Sequence, residues 1–203
     1  MKAKENFKKL LEQMSASVIE MVELTYKGLM ENDAHYLNRA LNKEHIIDDL
    51  EKEITAGIIQ IAKDLSSAER KELMLFEQIA ENIERMGDEL RSLIERIELK
   101  IAEKLYFSDI GIDQYIEVFS KMQGSVKLVE KFLSERKSEI LDAILKNGED
   151  NKKLIEEYRA LHLERLTKGI CDPRASNMYF DMLDFTGNIA RHCTNIARIH
   201  KEK

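Results

Sequence analysis

The sequence predicts an all-α chain built as two tandem, pseudo-repeated antiparallel three-helix bundles, and three observations carry that expectation. One proline and eight glycines in 203 residues leave little of the punctuation that strand-rich folds need. Apolar residues recur at intervals of three and four along most of the chain, the period of a helix that buries one stripe. That pattern breaks most clearly over Phe107-Ser108-Asp109-Ile110-Gly111-Ile112-Asp113 and then restarts, which divides the chain into bundles at residues 1–106 and 107–203.

A first helix is expected from about Lys4 to Met30, burying Phe7, Leu10, Leu11, Met14, Val18, Met21, Val22, Leu24 and Leu29. Glu31-Asn32-Asp33 is polar enough to turn the chain, and Asn32 or Asp33 can cap the next helix. The second helix, Ala34 to about Leu65, turns Leu37, Ala40, Leu41, Ile47, Leu50, Ile54, Ile58, Ile61 and Leu65 inward. Ser66 and Glu69 have capping-box spacing and open a third helix, about Ala68 to Leu105, striped by Phe76, Ile79, Ile83, Met86, Leu90 and Leu93. The fourth is expected from about Asp113 to Asn147, where Asn147-Gly148 reads as a left-handed C-cap. A shorter fifth, Glu149 to about Lys168, closes on Gly169, and Asp172-Pro173 supplies an N-cap and a first-position proline for a sixth that reaches about His200.

With 43% hydrophobic residues the chain can bury a substantial core, and no apolar run approaches the roughly 18 to 20 residues of a membrane span. The basic N-terminus leads into an amphipathic pattern rather than a signal-peptide core, so a cytoplasmic protein without membrane insertion is expected. A formal net charge of -6 argues against nucleic acid as a partner, because phosphate backbones demand a concentrated basic surface. Cations and basic protein surfaces stay open. Cys171 and Cys193 lack metal-knuckle spacing and read as two unpaired, buried or half-buried thiols.

The chemistry lies in the acids. On the third helix Glu77, Glu81, Glu84 and Asp88 step by four, three and four residues, so at about 100° per residue they form one line beside the apolar stripe. Glu44, Asp48 and Glu51 do the same on the second helix. Carboxylates stacked at i,i+4 repel by a few tenths of a kcal/mol per pair, which solvent or a cation must relieve. Antiparallel packing could set the two lines across one groove, and hard oxygens suit a divalent or trivalent metal: iron, Mn, Mg, Zn or Ca, with nothing in the spacing to choose among them. A solvated acidic face is the competing reading, which makes the chain a helical dimerising adaptor without metal.

Other chemistries find less support. A ferritin-like di-iron centre needs Glu-x-x-His on two helices, and no histidine here has glutamate three residues before it. His45 sits about 100° round the helix from Glu44 and is expected to be a partly buried polar residue, while His35 and His200 fall at helix ends. There is no Gly-x-Ser-x-Gly and no phosphate-cradling glycine loop, and Cys193 beside His192 points away from it. No catalytic residue is assigned; a metal-dependent phosphohydrolase would rest on metal-activated water alone.

Glu84-Arg85-Met86-Gly87-Asp88 resembles the Glu-Arg-Ile-Gly-Asp signature on the third helix of the PhoU family, whose three-helix bundle occurs twice. Glu44-His45-Ile46-Ile47-Asp48-Asp49-Leu50-Glu51 looks like that family's second helix. Further on, His162-Leu163-Glu164-Arg165-Leu166, Tyr179-Phe180-Asp181-Met182-Leu183 and His192-Cys193-Thr194-Asn195-Ile196-Ala197 look closest to the PhoU-like C-terminal domain of sodium/phosphate cotransporters. The resemblance implies a cytoplasmic regulator of phosphate uptake and signalling, working at the inner face of the membrane by contact with a phosphate transporter or phosphate-sensing kinase, with a homodimer as one form. It also implies metal binding through Glu/Asp-x-x-x-Asp steps: Glu44 with Asp48 and Glu84 with Asp88, helped by Glu51 and Glu81. In the second half, setting Asn195-Ile196-Ala197 on the family's Asn-Ile-Ala puts Gly187 and Arg191 where the signature acids belong. Asp181 and Asp184 are the acids left there, with His162 and His192 as company, and a metal is not expected in that bundle.

Overall fold

The computed structural model describes residues 2–63 and 66–201, which form α1 (Lys2–Glu31), α2 (Ala34–Ala62), α3 (Ser67–Ala102), α4 (Asp109–Glu135), α5 (Ser138–Thr167) and α6 (Pro173–Lys201). No strand occurs among the described residues. Most ends follow local chemistry. Asn32 takes the left-handed conformation at φ 51°, and Asp33 caps α2 by accepting the His35 N–H at 2.8 Å. Ser66 and Glu69 complete both halves of the expected capping box. The expected end of the second helix at Leu65 lies outside the described residues.

Two boundaries differ from expectation. Ser108 accepts the Gly111 N–H at 3.2 Å and starts α4 at Asp109, four residues before the expected Asp113. More consequentially, the fourth helix does not run to Asn147: α4 ends at Glu135 and α5 runs unbroken through Asn147-Gly148, so the middle helix of the second bundle is not short. Arg136 makes the turn in the left-handed region at φ 56°, its N–H on the Phe132 carbonyl at 2.9 Å and its guanidinium over the Phe132 ring. Asn147 faces α4, donating to the Lys121 carbonyl and to Ser125 Oγ, each at 3.0 Å. Gly148 lets α6 in close, since a Cβ there would stand 2.3 Å from Thr194 Oγ1.

All nine residues expected to line α1 are buried, as are the six of the α3 stripe; on α2, Leu41, Leu50 and Ile61 are partly buried against the same core. The helices of each half pack on one another in threes, and the halves meet equivalent to equivalent, α3 along α6 and α1 against α4, as a pseudo-two-fold axis requires. Their buried side chains form one continuous core; Met86 of α3 touches Cys193 of α6 at 3.7 Å between sulfurs. Both cysteines are free, Cys193 buried and Cys171 half-buried. No helix of the described residues is long and apolar enough to cross a membrane.

Candidate metal centre

The two carboxylate lines meet because α3 comes close to α2 at Gly87. That residue is buried, and a Cβ on it would lie 3.5 Å from Ile47 and 3.9 Å from Glu44, so backbone approaches side chain where a larger residue would hold the helices apart. With Gly87 opposite Ile47 and Glu44, the flanking Glu84 and Asp88 come against the acidic side of α2.

Glu44 is buried, and its Oε1 accepts from Arg91 Nη1 at 2.6 Å while Asp88 Oδ1 takes Nη2 of the same guanidinium at 2.8 Å. Arg91 therefore bridges the two helices with charge-assisted bonds. Asp48 is held by Lys52 at 2.5 Å, one turn along α2, and Glu51 accepts from Thr55 Oγ1 at 2.8 Å. Glu81 is exposed and pairs with Arg85 at 2.5 Å. His45, expected to be partly buried, is exposed, with Nδ1 3.3 Å from Glu44 Oε2.

Glu84 and Glu51 are the members without an ion pair to a cation among the described residues, and Glu51 has the Thr55 hydroxyl in its place. Desolvation, then Asp88, Glu51 and Asp48, push the Glu84 carboxyl from an ordinary 4.5 up to about 7. Glu84 thus keeps a proton near neutrality, first because it is partly withdrawn from water and then because Asp88 stands beside it, with Glu51 and Asp48 adding less. In kind, these hard oxygens fit a cation such as Mg²⁺, Mn²⁺ or iron. As placed, no three His, Cys, Asp or Glu side chains among the described residues close up around one point, and Arg91 supplies the local positive charge.

In the second bundle the corresponding residues disperse. Asp181 pairs with Arg96 of α3 at 3.1 Å and Asp184 with Arg159 of α5. Gly187 packs on Ile155, and Arg191 is exposed, bonded to Asn188 at 3.3 Å. His192 is buried between α6 and α3 with Nδ1 3.1 Å from Asn82 Oδ1, and burial, helped by Arg191 and Arg85, pushes it down to about 4. His162 is buried elsewhere, on Ser176.

Sequence reasoning passed over Arg91, the residue that ties the two lines together. Its signal was present, since Asp88 and Arg91 stand at i,i+3 on the acidic side of α3. What spacing could not supply was the inter-helix register that brings Glu44 to the same guanidinium.

Residues 11–97, a span from α1 through most of α3 that holds all six acidic candidates, match the PhoU domain family model. Among curated proteins none matches the chain. Among solved structures, PhoU from Pseudomonas aeruginosa is similar over 97% of this chain and 94% of its own, with TM-score 0.84 and 18% identity. The phosphate transport system regulatory protein PhoU from Streptococcus pneumoniae covers 98% and 95% at TM-score 0.81 and 13% identity. A PhoU-like protein from Shewanella oneidensis covers 96% and 94% at TM-score 0.67 and 12% identity.

Proposed function

We propose that the chain, which carries a PhoU domain and has the PhoU fold along its whole length, is a cytoplasmic regulator of phosphate uptake and phosphate signalling. It acts by contact with a phosphate transporter or a phosphate-sensing kinase rather than by catalysis. The observation that carries this reading is the domain match joined to a whole-chain likeness to solved PhoU regulators. Deleting the gene and following phosphate uptake in starved and replete cells tests it. The reading expects uptake that no longer responds to phosphate supply, with a transporter or kinase recovered on the tagged protein in wild-type cells; regulation intact after deletion overturns it.

Within that function the α2–α3 carboxylates are proposed to take a hard metal cation, held by Asp48, Glu51, Glu84 and Asp88, with Glu44 and Glu81 at the margin. The ion would relieve the carboxylate repulsion and displace the proton kept on Glu84, coupling metal occupancy to how α2 and α3 sit together. The support is Glu84 itself, a half-buried acid among acids. Calorimetry with Mn²⁺, Mg²⁺ and Fe²⁺ should show binding that Glu84→Gln with Asp88→Asn abolishes while helical content is unchanged. Arg91→Gln, which frees Glu44 and Asp88, should tighten it. No heat with any of the three ions, in wild type or in Arg91→Gln, leaves the acids as a salt-bridged surface.

A further inference from the structure

At the end of α5, the connection between α3 and α4 and the loop between α5 and α6 enclose a cavity of about 300 Å³, lined by Phe107, Ser108, Gly111, His162, Cys171 and Asp172 among others. Behind Gly111 and His162, and not itself lining the cavity, stands Arg165, 9% exposed, with Nε and Nη2 buried and no well-formed hydrogen bond to either. No carboxylate among the described residues pairs with it; its neighbour Glu164 is turned to Lys168 at 2.5 Å. The negative end of α5 offsets part of the charge, yet buried N–H groups of a guanidinium without acceptors are costly and ask for an anion.

Two further orphans share the place. The Tyr179 hydroxyl is buried behind the cavity wall beside Arg165, in reach of the guanidinium but without a well-formed hydrogen bond, and His162, stacked on the Tyr179 ring at 4.3 Å, leaves its Nδ1 buried and unbonded. The hydrogen-bond network sets the tautomer. Ser176 Oγ gives its proton to the Asp172 carbonyl at 3.2 Å, so it accepts from His162 Nε2–H at 3.0 Å, and Nδ1 is an acceptor. Burial and the Arg165 charge keep that ring neutral. The starts of α4 and α6 also face this end, and the carboxylate of Asp172 is neutralised by Arg174 at 2.9 Å.

Donors from a guanidinium and a phenol beside one unprotonated acceptor describe an oxyanion that still carries a proton. Phosphate near neutral pH has both charged oxygens and a P–OH; sulfate has no proton to give. We propose that this end of the second bundle binds inorganic phosphate, charged oxygens on Arg165 and Tyr179 and the P–OH on His162 Nδ1. The inference stands on these residues and does not rest on the regulatory reading.

Calorimetry on the full chain in a phosphate-free buffer tests it, with inorganic phosphate, sulfate and methyl phosphate as titrants. Phosphate should bind saturably and about tenfold or more tighter than sulfate, because a buried acceptor is left unpaired by the latter. Arg165→Met should lose phosphate binding and, without phosphate, melt higher than wild type, since an uncompensated buried charge is gone; the higher melting temperature shows that the variant folds. His162→Phe should retain anion binding and lose the preference for phosphate. Glu84→Gln with Asp88→Asn should bind phosphate as wild type does, which separates this site from the metal reading. No binding of phosphate, undiminished binding by Arg165→Met, equal binding of sulfate, or a preference for methyl phosphate overturns the proposal.

Discussion

At the scale of single residues, Glu84 decides how the acidic groove behaves. Its folded carboxyl titrates at about 7 against an ordinary 4.5, so between those pH values the folded protein holds a proton that the unfolded chain has released. Stability therefore falls as pH rises from about 4.5 to about 7 and stays reduced above it. Without metal, Glu84→Gln should match wild type below pH 4.5 and exceed it above pH 7 by on the order of 1 to 2 kcal/mol, after solvent screening of a half-buried group. Urea titrations at pH 4.5 and 7.5 measure the difference. A variant weaker than wild type at pH 7.5 would show that the ionised Glu84 is welcome where it stands. The acids themselves were readable from spacing, since one helical period puts them in line. Their partner was not, because Arg91 reaches Glu44 only through a register that Gly87 sets from the far side of the contact.

At the scale of elements, most helix ends with side-chain signals were legible and those without were not; the Ser108 cap of α4 is the exception, hidden in a stretch where the apolar period breaks. Ser66 with Glu69, and Asp172 before Pro173, announce helix starts through bonds they make within a turn. Arg136 announces nothing, being an arginine in a conformation that glycine or asparagine usually takes, and so the pattern points to Asn147-Gly148 for the α4–α5 turn. Gly148 serves packing instead. Gly148→Ala should gain helix propensity of up to about 1 kcal/mol yet lose more by pressing on Thr194, for a net cost of about 1 to 2 kcal/mol. Pairing it with Thr194→Ala should recover most of the loss. Denaturant midpoints of the single and double variants report this, and a stabilised Gly148→Ala would mean that α5 and α6 have room to part.

At the scale of the whole molecule, the two bundles are distinct in topology but joined in their packing. The long α3–α6 contact carries Met86 on Cys193, Asn82 on His192, Glu89 on Asn188 at 3.2 Å and Arg96 on Asp181. The duplication was visible as a restarting pattern; this shared face was not, since the same apolar stripe serves a bundle or a neighbour equally well. A core continuous across the halves should unfold in one calorimetric transition, with calorimetric and van't Hoff enthalpies agreeing, whereas two separable transitions would make each bundle its own folding unit. If α2 and α3 gather carboxylates until one keeps a proton, the hard cation proposed for this groove should displace it. Carbon-13 NMR of the Glu84 side-chain carboxyl across pH 4 to 9, without and with Mg²⁺, tests it most directly. A midpoint near 7 that falls when Mg²⁺ is added is expected; a midpoint near 4.5 that Mg²⁺ leaves unmoved would mean that Glu84 is an ordinary solvated acid.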